Sequence, residues 1–409
     1  MRSLSLIVAK FGGSSVASME RIRNVAVKVK RMKEEGKQVV VVVSAMGDTT
    51  DDLIELAKQT GPELSSREMD MLLATGEQQS AALLALTLNN MNCKAVSLTG
   101  WQAGVQSDAN YSKSRITNIE PRRILHELEQ GNVVVVAGFQ GISPEGDITT
   151  LGRGGSDTSA VALAAALDAE RCMIFTDVKG VYTADPRIVP EARQLSVISY
   201  DEMLELASLG AVVMQPRAVE FAMLYGVDVE VLSSFEDHSG TIITEVGNME
   251  KQRIVTGVAH DLNCTRFAIF DVPDRPGIAK TLFRGLADAG INVDMVIQSA
   301  MRDNRNDIAF TIEENDLQKA IPVVEKLVQE IGASGMFCGN EVGKVSIVGA
   351  GMQSNPGVAA DMFEALADEN INIHMISTSE IKISCIIDED RIQDAVRALH
   401  KKFGLENIE

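Results

Sequence analysis

The sequence predicts an α/β chain: a mostly parallel sheet layered between helices, followed by two smaller α+β modules. Three observations carry this. Short β-branched runs alternate with helix-period segments over residues 1–245. Val39 to Val43 is an unbroken valine run, as a strand buried on both faces requires. Beyond Thr244 one pattern occurs twice, eighty residues apart.

The elements follow in order. Leu6 to Ala9 reads as the first strand, then glycines, then a helix through Glu20 to Glu35. The apolar run from Leu4 to Val8 ends at Lys10 and Gly12, which suits a strand and not a signal peptide. Val133 to Ala137 and Met173 to Thr176 repeat the strand signal, with helical stretches at Met69 to Asn89 and Ser156 to Leu167. Residues 246–264 read as a polar linker and one strand. Then Pro276-Gly277, Leu286-Ala287-Asp288 and Ile291-Asn292-Val293-Asp294-Met295 return as Pro356-Gly357, Leu366-Ala367-Asp368 and Ile371-Asn372-Ile373-His374-Met375. Each copy, 265–340 and 341–409, reads strand, Pro-Gly turn, helix, strand, strand, helix. Copy one closes with a strand near Met336 to Cys338. Copy two lacks one, so Arg253 to Val258 is expected to supply it.

Composition narrows the chemistry. A chain of 409 residues exceeds one ordinary core. The formal charge of −19 speaks against nucleic acid or an anionic membrane as partner. Nothing reaches membrane-spanning length. Cys93, Cys172, Cys264, Cys338 and Cys385 are scattered without a CxxC pair, and read as buried hydrophobes of a reducing, cytoplasmic compartment. The five histidines show no ligand spacing, so a protein-built metal cage is not expected. An acidic protein that handles an anion must build a local positive site.

Two glycine-rich turns can do so. Lys10-Phe11-Gly12-Gly13-Ser14-Ser15 follows the first strand; glycines admit a phosphate to the backbone, and a helix N-terminus adds positive potential. Lys10 then neutralises charge on a transferring phosphoryl group; the plain alternative is a strand-to-helix turn. In Thr150-Leu151-Gly152-Arg153-Gly154-Gly155-Ser156-Asp157 a guanidinium sits between glycines ahead of a helix. That arrangement suits bidentate capture of a carboxylate. Ser156 is the expected N-cap, with Asp157 in the first turn or facing a nucleotide-bound Mg²⁺. Ser44-Ala45-Met46-Gly47-Asp48-Thr49-Thr50 ends the valine strand, and Glu77 offers a carboxylate to a substrate ammonium group or merely occupies a first helical turn. Thr176-Asp177 through Asp185-Pro186-Arg187 combines a ribose acceptor, Tyr182 and an arginine, or is an ordinary turn.

Taken together, KFGGSS, SAMGDTTD, TGE, GFQG, TTLGRGGSDTSA and DVKGVYTADPR resemble the aspartate kinases of the amino-acid kinase family, and the repeat resembles a pair of ACT domains. The resemblance implies a three-layer amino-acid-kinase sandwich with two βαββαβ modules. It implies ATP with Mg²⁺, and L-aspartate as acceptor. By position, Lys10, Phe11, Gly12, Gly13 and Ser14 would meet the ATP phosphates, and Thr176, Asp177, Tyr182, Asp185 and Arg187 would border the nucleotide. Ser44, Thr50, Glu77, Arg153 and Gly154 would hold aspartate, with Asp157 in the catalytic centre. Lysine, threonine or both would act as feedback effectors, at Asp274, Gly277, Ile278, Ala279, Asn292, Val293, Asp294 and Gln298 in copy one. In copy two the counterparts are Asn355, Asn372, Ile373, Thr378 and Ser379. ACT pairing implies a homodimer or larger assembly. One departure stands out: where some aspartate kinases carry an ATP-site lysine this chain has Val212, and either the contact differs or Arg217 compensates. The rivals are a kinase of the same fold acting on glutamate, acetylglutamate, carbamate or UMP, and an amino-acid sensor with an inactive kinase half.

Overall fold

The computed structural model describes residues 5–152, 154–210, 213–245, 254–352 and 355–407. The described parts of Met1–Val181, Gln194–Ser208 and Val212–Asn248 form one compact unit; those of Tyr182–Arg193, Leu209–Ala211 and Met249–Glu409 form another.

The first unit contains strands β1 (Leu6–Phe11), β2 (Gln38–Val43), β3 (Ala95–Leu98), β4 (Val105–Ser107), β5 (Ile116–Ile119), β6 (Val133–Ala137), β7 (Gln140–Ile142), β8 (Ile148–Thr150), β9 (Arg171–Thr176), β10 (Val197–Ser199), β11 (Val229–Ser233) and β12 (Thr241–Thr244). Its helices are α1 (Met19–Glu34), α2 (Thr49–Lys58), α3 (Ser66–Asn90), α4 (Arg122–Glu129), α5 (Gly155–Ala166), α6 (Tyr200–Ser208) and α7 (Pro216–Tyr225). Eight strands form one sheet in the order β10-β12-β11-β9-β1-β2-β6-β3, parallel throughout except where β11 meets β12. A four-stranded sheet, β5-β4-β7-β8, stands apart.

Strand alternation sorts the central strands between two helix layers. Ile7, Ala9, Phe11, Val39, Val41, Val43, Val133 and Val135 pack into one core with Ile22, Val25 and Val29 of α1 and Leu84 and Leu88 of α3. Val8, Lys10, Val40 and Val42 therefore point the other way, toward the side where α5 packs on β1, β2 and β9. At α1 the Ser18 hydroxyl accepts the Arg21 N–H at 3.2 Å, and Arg31 and Lys33 sit in the last turn, matching the helix dipole.

The second unit contains β13 (Gly257–Asp261), β14 (Thr265–Pro273), β15 (Val293–Gln298), β16 (Arg305–Ile312), β17 (Gly335–Gly339), β18 (Val342–Val348), β19 (Met375–Thr378) and β20 (Lys382–Asp388). Helices α8 (Ile278–Asp288), α9 (Leu317–Ile331), α10 (Val358–Asp368) and α11 (Ile392–Lys402) complete it. Copy one forms the sheet β15-β16-β14-β17, and copy two forms β19-β20-β18-β13. β13 thus lies antiparallel to β18, as β17 lies against β14. Of the expected Arg253 to Val258, Gly257 and Val258 are in this ladder, while Arg253 lies with the rest of 246–253 outside the described residues. Ala184 and Val189 are buried in the core of copy two with Val345, Met362 and Leu399. Among the described residues no helix is long and apolar enough to cross a membrane.

Candidate active site

Parallel pairing brings the sequence motifs of the first unit to one edge. Phe11 aligns with Val43 and with Phe175, and Val43 aligns with Ala137, so the turns after β1, β2, β6 and β9 leave the sheet side by side. This carboxyl edge is where open α/β sheets bind ligands. The turns are stitched together: Ser44 N–H donates to the Phe11 carbonyl at 3.1 Å, Gly47 N–H to Gly13 at 3.1 Å, and Gly12 N–H to Phe175 at 3.3 Å. The fit at Gly13 is tight, since a Cβ there would stand 3.0 Å from the Ala45 carbonyl oxygen. Ser14 lies in the short 3-10 turn that follows, its carbonyl accepting from Arg21. Thr50 is half-buried in the first turn of α2. Thr176 ends β9, and its hydroxyl donates to the carboxylate of the next residue, Asp177, at 3.1 Å.

Lys10 points toward α5 and meets Asp157 in its first turn, Nζ to Oδ1 at 2.5 Å, both side chains nearly inaccessible. The helix begins differently from expectation. Gly154 is the N-cap, at φ +67, and its carbonyl accepts the Asp157 N–H at 3.0 Å; Ser156 is buried inside the helix. A Cβ on Gly154 would fall 1.6 Å from Gln215 Cγ, so a left-handed glycine takes the position a serine was expected to hold. Arg153 lies outside the described residues, as does Val212. The Arg217 guanidinium donates to the Leu151 carbonyl at 3.0 Å and the Ser114 carbonyl at 2.9 Å, neutral acceptors that leave its charge in place.

Glu77 lies in the middle of α3, not in a first turn. It is 3% exposed. One oxygen accepts the Ala45 N–H at 3.1 Å, while Oε2 has no hydrogen-bond partner among the described residues. Burial pushes its pKa up to about 7, against the lowering effect of backbone hydrogen bonds. The neighbouring Gly76 lets α3 come this close, since a Cβ there would stand 2.9 Å from that of Ala45. Asp70, two turns earlier, was not foreseen. Fully buried, it accepts Ser112 N–H, Thr150 N–H at 2.8 Å and Thr150 Oγ1 at 2.7 Å, fixing the strand that leads into Gly152. The signal was present: Asp70, Leu73, Ala74, Glu77, Ala81 and Leu84 share one helical face, two carboxylates on an apolar stripe.

Tyr182, Asp185 and Arg187 belong to the second unit, where the Asp185 carboxylate and the Arg187 guanidinium bind each other at 2.7 Å. In that unit a cavity of about 460 Å³ is lined by Asp274, Gly277, Ile278, Ala279 and Gln298. A second, about 380 Å³, is lined by Asn355, Gly357, Thr378 and Ser379. Asn292, Val293, Asn372 and Ile373 line neither, and Asp294 is paired with the buried Lys344 at 2.6 Å. The largest of the three cavities, about 800 Å³, is lined by His260 and by Glu341, Asp388, Asp390 and Asp394, four carboxylates that would repel a nucleotide.

Residues 5–233 match the model of the amino acid kinase family, and 267–329 and 345–403 each match an ACT domain. The chain is 53% identical to an aspartokinase of Bacillus sp. (strain MGA3) and 50% identical to aspartokinase 2 of Bacillus subtilis, over 98% of both chains in each case. A crystal structure of aspartate kinase from Synechocystis is 48% identical, with a TM-score of 0.55 over 98% of this chain and 70% of that one. E. coli aspartokinase III in complex with aspartate and ADP shares the fold, with a TM-score of 0.83 at 24% identity over 98% of this chain and 100% of that one.

Proposed function

Since the chain belongs to the aspartokinases, ATP-dependent kinases of the amino acid kinase family, we propose that it transfers the γ-phosphoryl group of ATP to the side-chain carboxylate of L-aspartate, giving ADP and 4-phospho-L-aspartate. The buried Lys10–Asp157 pair beside Gly12 and Gly13 supports this most directly. A lysine ammonium kept out of water costs little only while an anion faces it. Asp157 serves when no nucleotide is present; arriving phosphates share the charge. We assign Phe11, Gly12, Gly13, Ser14, Thr176 and Asp177 to the nucleotide and Ser44, Thr50, Glu77, Arg153 and Gly154 to aspartate. Glu77 Oε2, without a partner among the described residues, is the acceptor suited to an α-ammonium group.

The acceptor carboxylate is ionised at neutral pH, so its oxygen attacks phosphorus without a general base while the bond to the ADP oxygen breaks. The difficulty is like charge meeting like charge. Lys10 and the turn N–H groups lower that barrier and hold the reactants in line. Among the described residues no cluster of ligating side chains could cage a metal. Asp157, one buried carboxylate, fits a Mg²⁺ carried by the nucleotide, which would neutralise phosphate charge when bound.

We also place the enzyme in the cytoplasm at the first step of lysine, threonine and methionine synthesis, with lysine, threonine or both acting through the ACT modules. Two or more chains assemble through these modules, whose outer strands β15 and β19 expose Val296 and Ile376; light scattering that returned one 44.1 kDa chain would exclude this. An acceptor panel with ADP detection tests the activity. Aspartate should support turnover, and hydroxylamine should trap the product as a hydroxamate. Equal turnover with glutamate, acetylglutamate, carbamate or UMP contradicts the reading.

A further inference from the structure

We propose that the copy-one cavity reads the side chain of its amino acid through Asn306, and that copy two has no equivalent reader, so the two copies accept different amino acids. This rests on the regulatory reading above.

The copy-one cavity has three parts. The N-terminus of α8 opens into it at Gly277, φ +100, and offers backbone N–H groups suited to a carboxylate. Asp274 supplies negative charge suited to an ammonium group. Asn306 lines the same cavity, together with the buried apolar Val272 and Ile308. It is 6% exposed, and its buried Oδ1 has no hydrogen-bond partner among the described residues. A buried acceptor without a donor is costly, and a ligand in the cavity that brings a donor to it removes that cost.

The repeat supplies an internal control. Gln298 pairs with Ile308 where Thr378 pairs with Ile383, and Ser299 N–H donates to Asp307 where Ser379 N–H donates to Lys382. Both matches set Asn306 opposite Ile381. At that position copy two carries a side chain that can neither accept nor donate. Copy one therefore selects an α-amino acid with a hydrogen-bond donor on its side chain, and copy two does not.

Isothermal titration of the full chain tests this with two pairs that keep shape and lose the donor: L-threonine against L-valine, and L-lysine against L-norleucine. The donor-bearing member of at least one pair should bind at least about tenfold more tightly. Asn306→Ile should erase that preference, Asn306→Ala should weaken it, and Asn306→Asp should retain it. A preference that survives both Asn306→Ile and Asn306→Ala overturns the proposal, as does equal binding within both pairs or no binding at all. Aspartate-dependent ADP release without added amino acid should be unchanged in the variants, since Asn306 belongs to the regulatory unit. Loss of that release in the parent chain would sink the kinase reading and leave the binding preference measurable.

Discussion

A carboxyl group buried as deeply as Glu77 resists ionisation, and the sign of its effect follows. Its pKa is raised from 4.5 to about 7 in the folded chain. The folded state thus holds a proton that the unfolded state releases between those values. Stability from this group is complete below about pH 4.5 and is lost as pH rises toward 7, by up to about 3 kcal/mol. Binding of an ammonium group restores the carboxylate and expels the proton. Titration with aspartate near pH 6.5, in buffers of different ionisation enthalpy, should show proton release that Glu77→Gln abolishes; release that persists in the variant contradicts the role. At this scale the sequence was half legible. Glu77 is singled out by its Thr-Gly-Glu neighbourhood and is buried in the structure, but Asp70 is not singled out, because an acidic residue near a helix start reads as ordinary dipole complementation. Only the helical face it shares with Leu73 and Leu84 marks it as buried.

At the scale of elements, periodicity located the strands and long helices, while chain ends and caps depended on contacts no local pattern displays. Val39 to Val43 declares itself, since only a strand covered on both faces tolerates five valines. The start of α5 did not. Serine is the better N-cap in isolation, yet Gly154 holds the place because Gln215, sixty residues later, fills the space a side chain would need. Gly154→Ala should therefore cost about 1–3 kcal/mol, from the left-handed backbone and the clash with Gln215. Urea denaturation reads this directly, and an unchanged midpoint contradicts the packing argument. The strand completing copy two lay within reach of the same logic: a module missing one strand must borrow one, and β13 sits where β17 sits in copy one.

On the scale of the whole chain, the sequence shows two cationic glycine turns and a duplicated module but not which charges meet. Lys10 and Asp157 are separated by 146 intervening residues and touch only because β1 lies at the centre of a parallel sheet with α5 on the face toward which Lys10 points. Nothing local to either residue announces the pair. The account rests on Lys10 acting on the transferring group and not merely neutralising Asp157. Steady-state turnover of Lys10→Ala, measured alongside its thermal midpoint and its aspartate affinity, tests that most directly. The expected result is a folded protein that still binds aspartate, with kcat lowered by the equivalent of about 3–5 kcal/mol. A folded variant whose kcat stays within tenfold of the parent would contradict it.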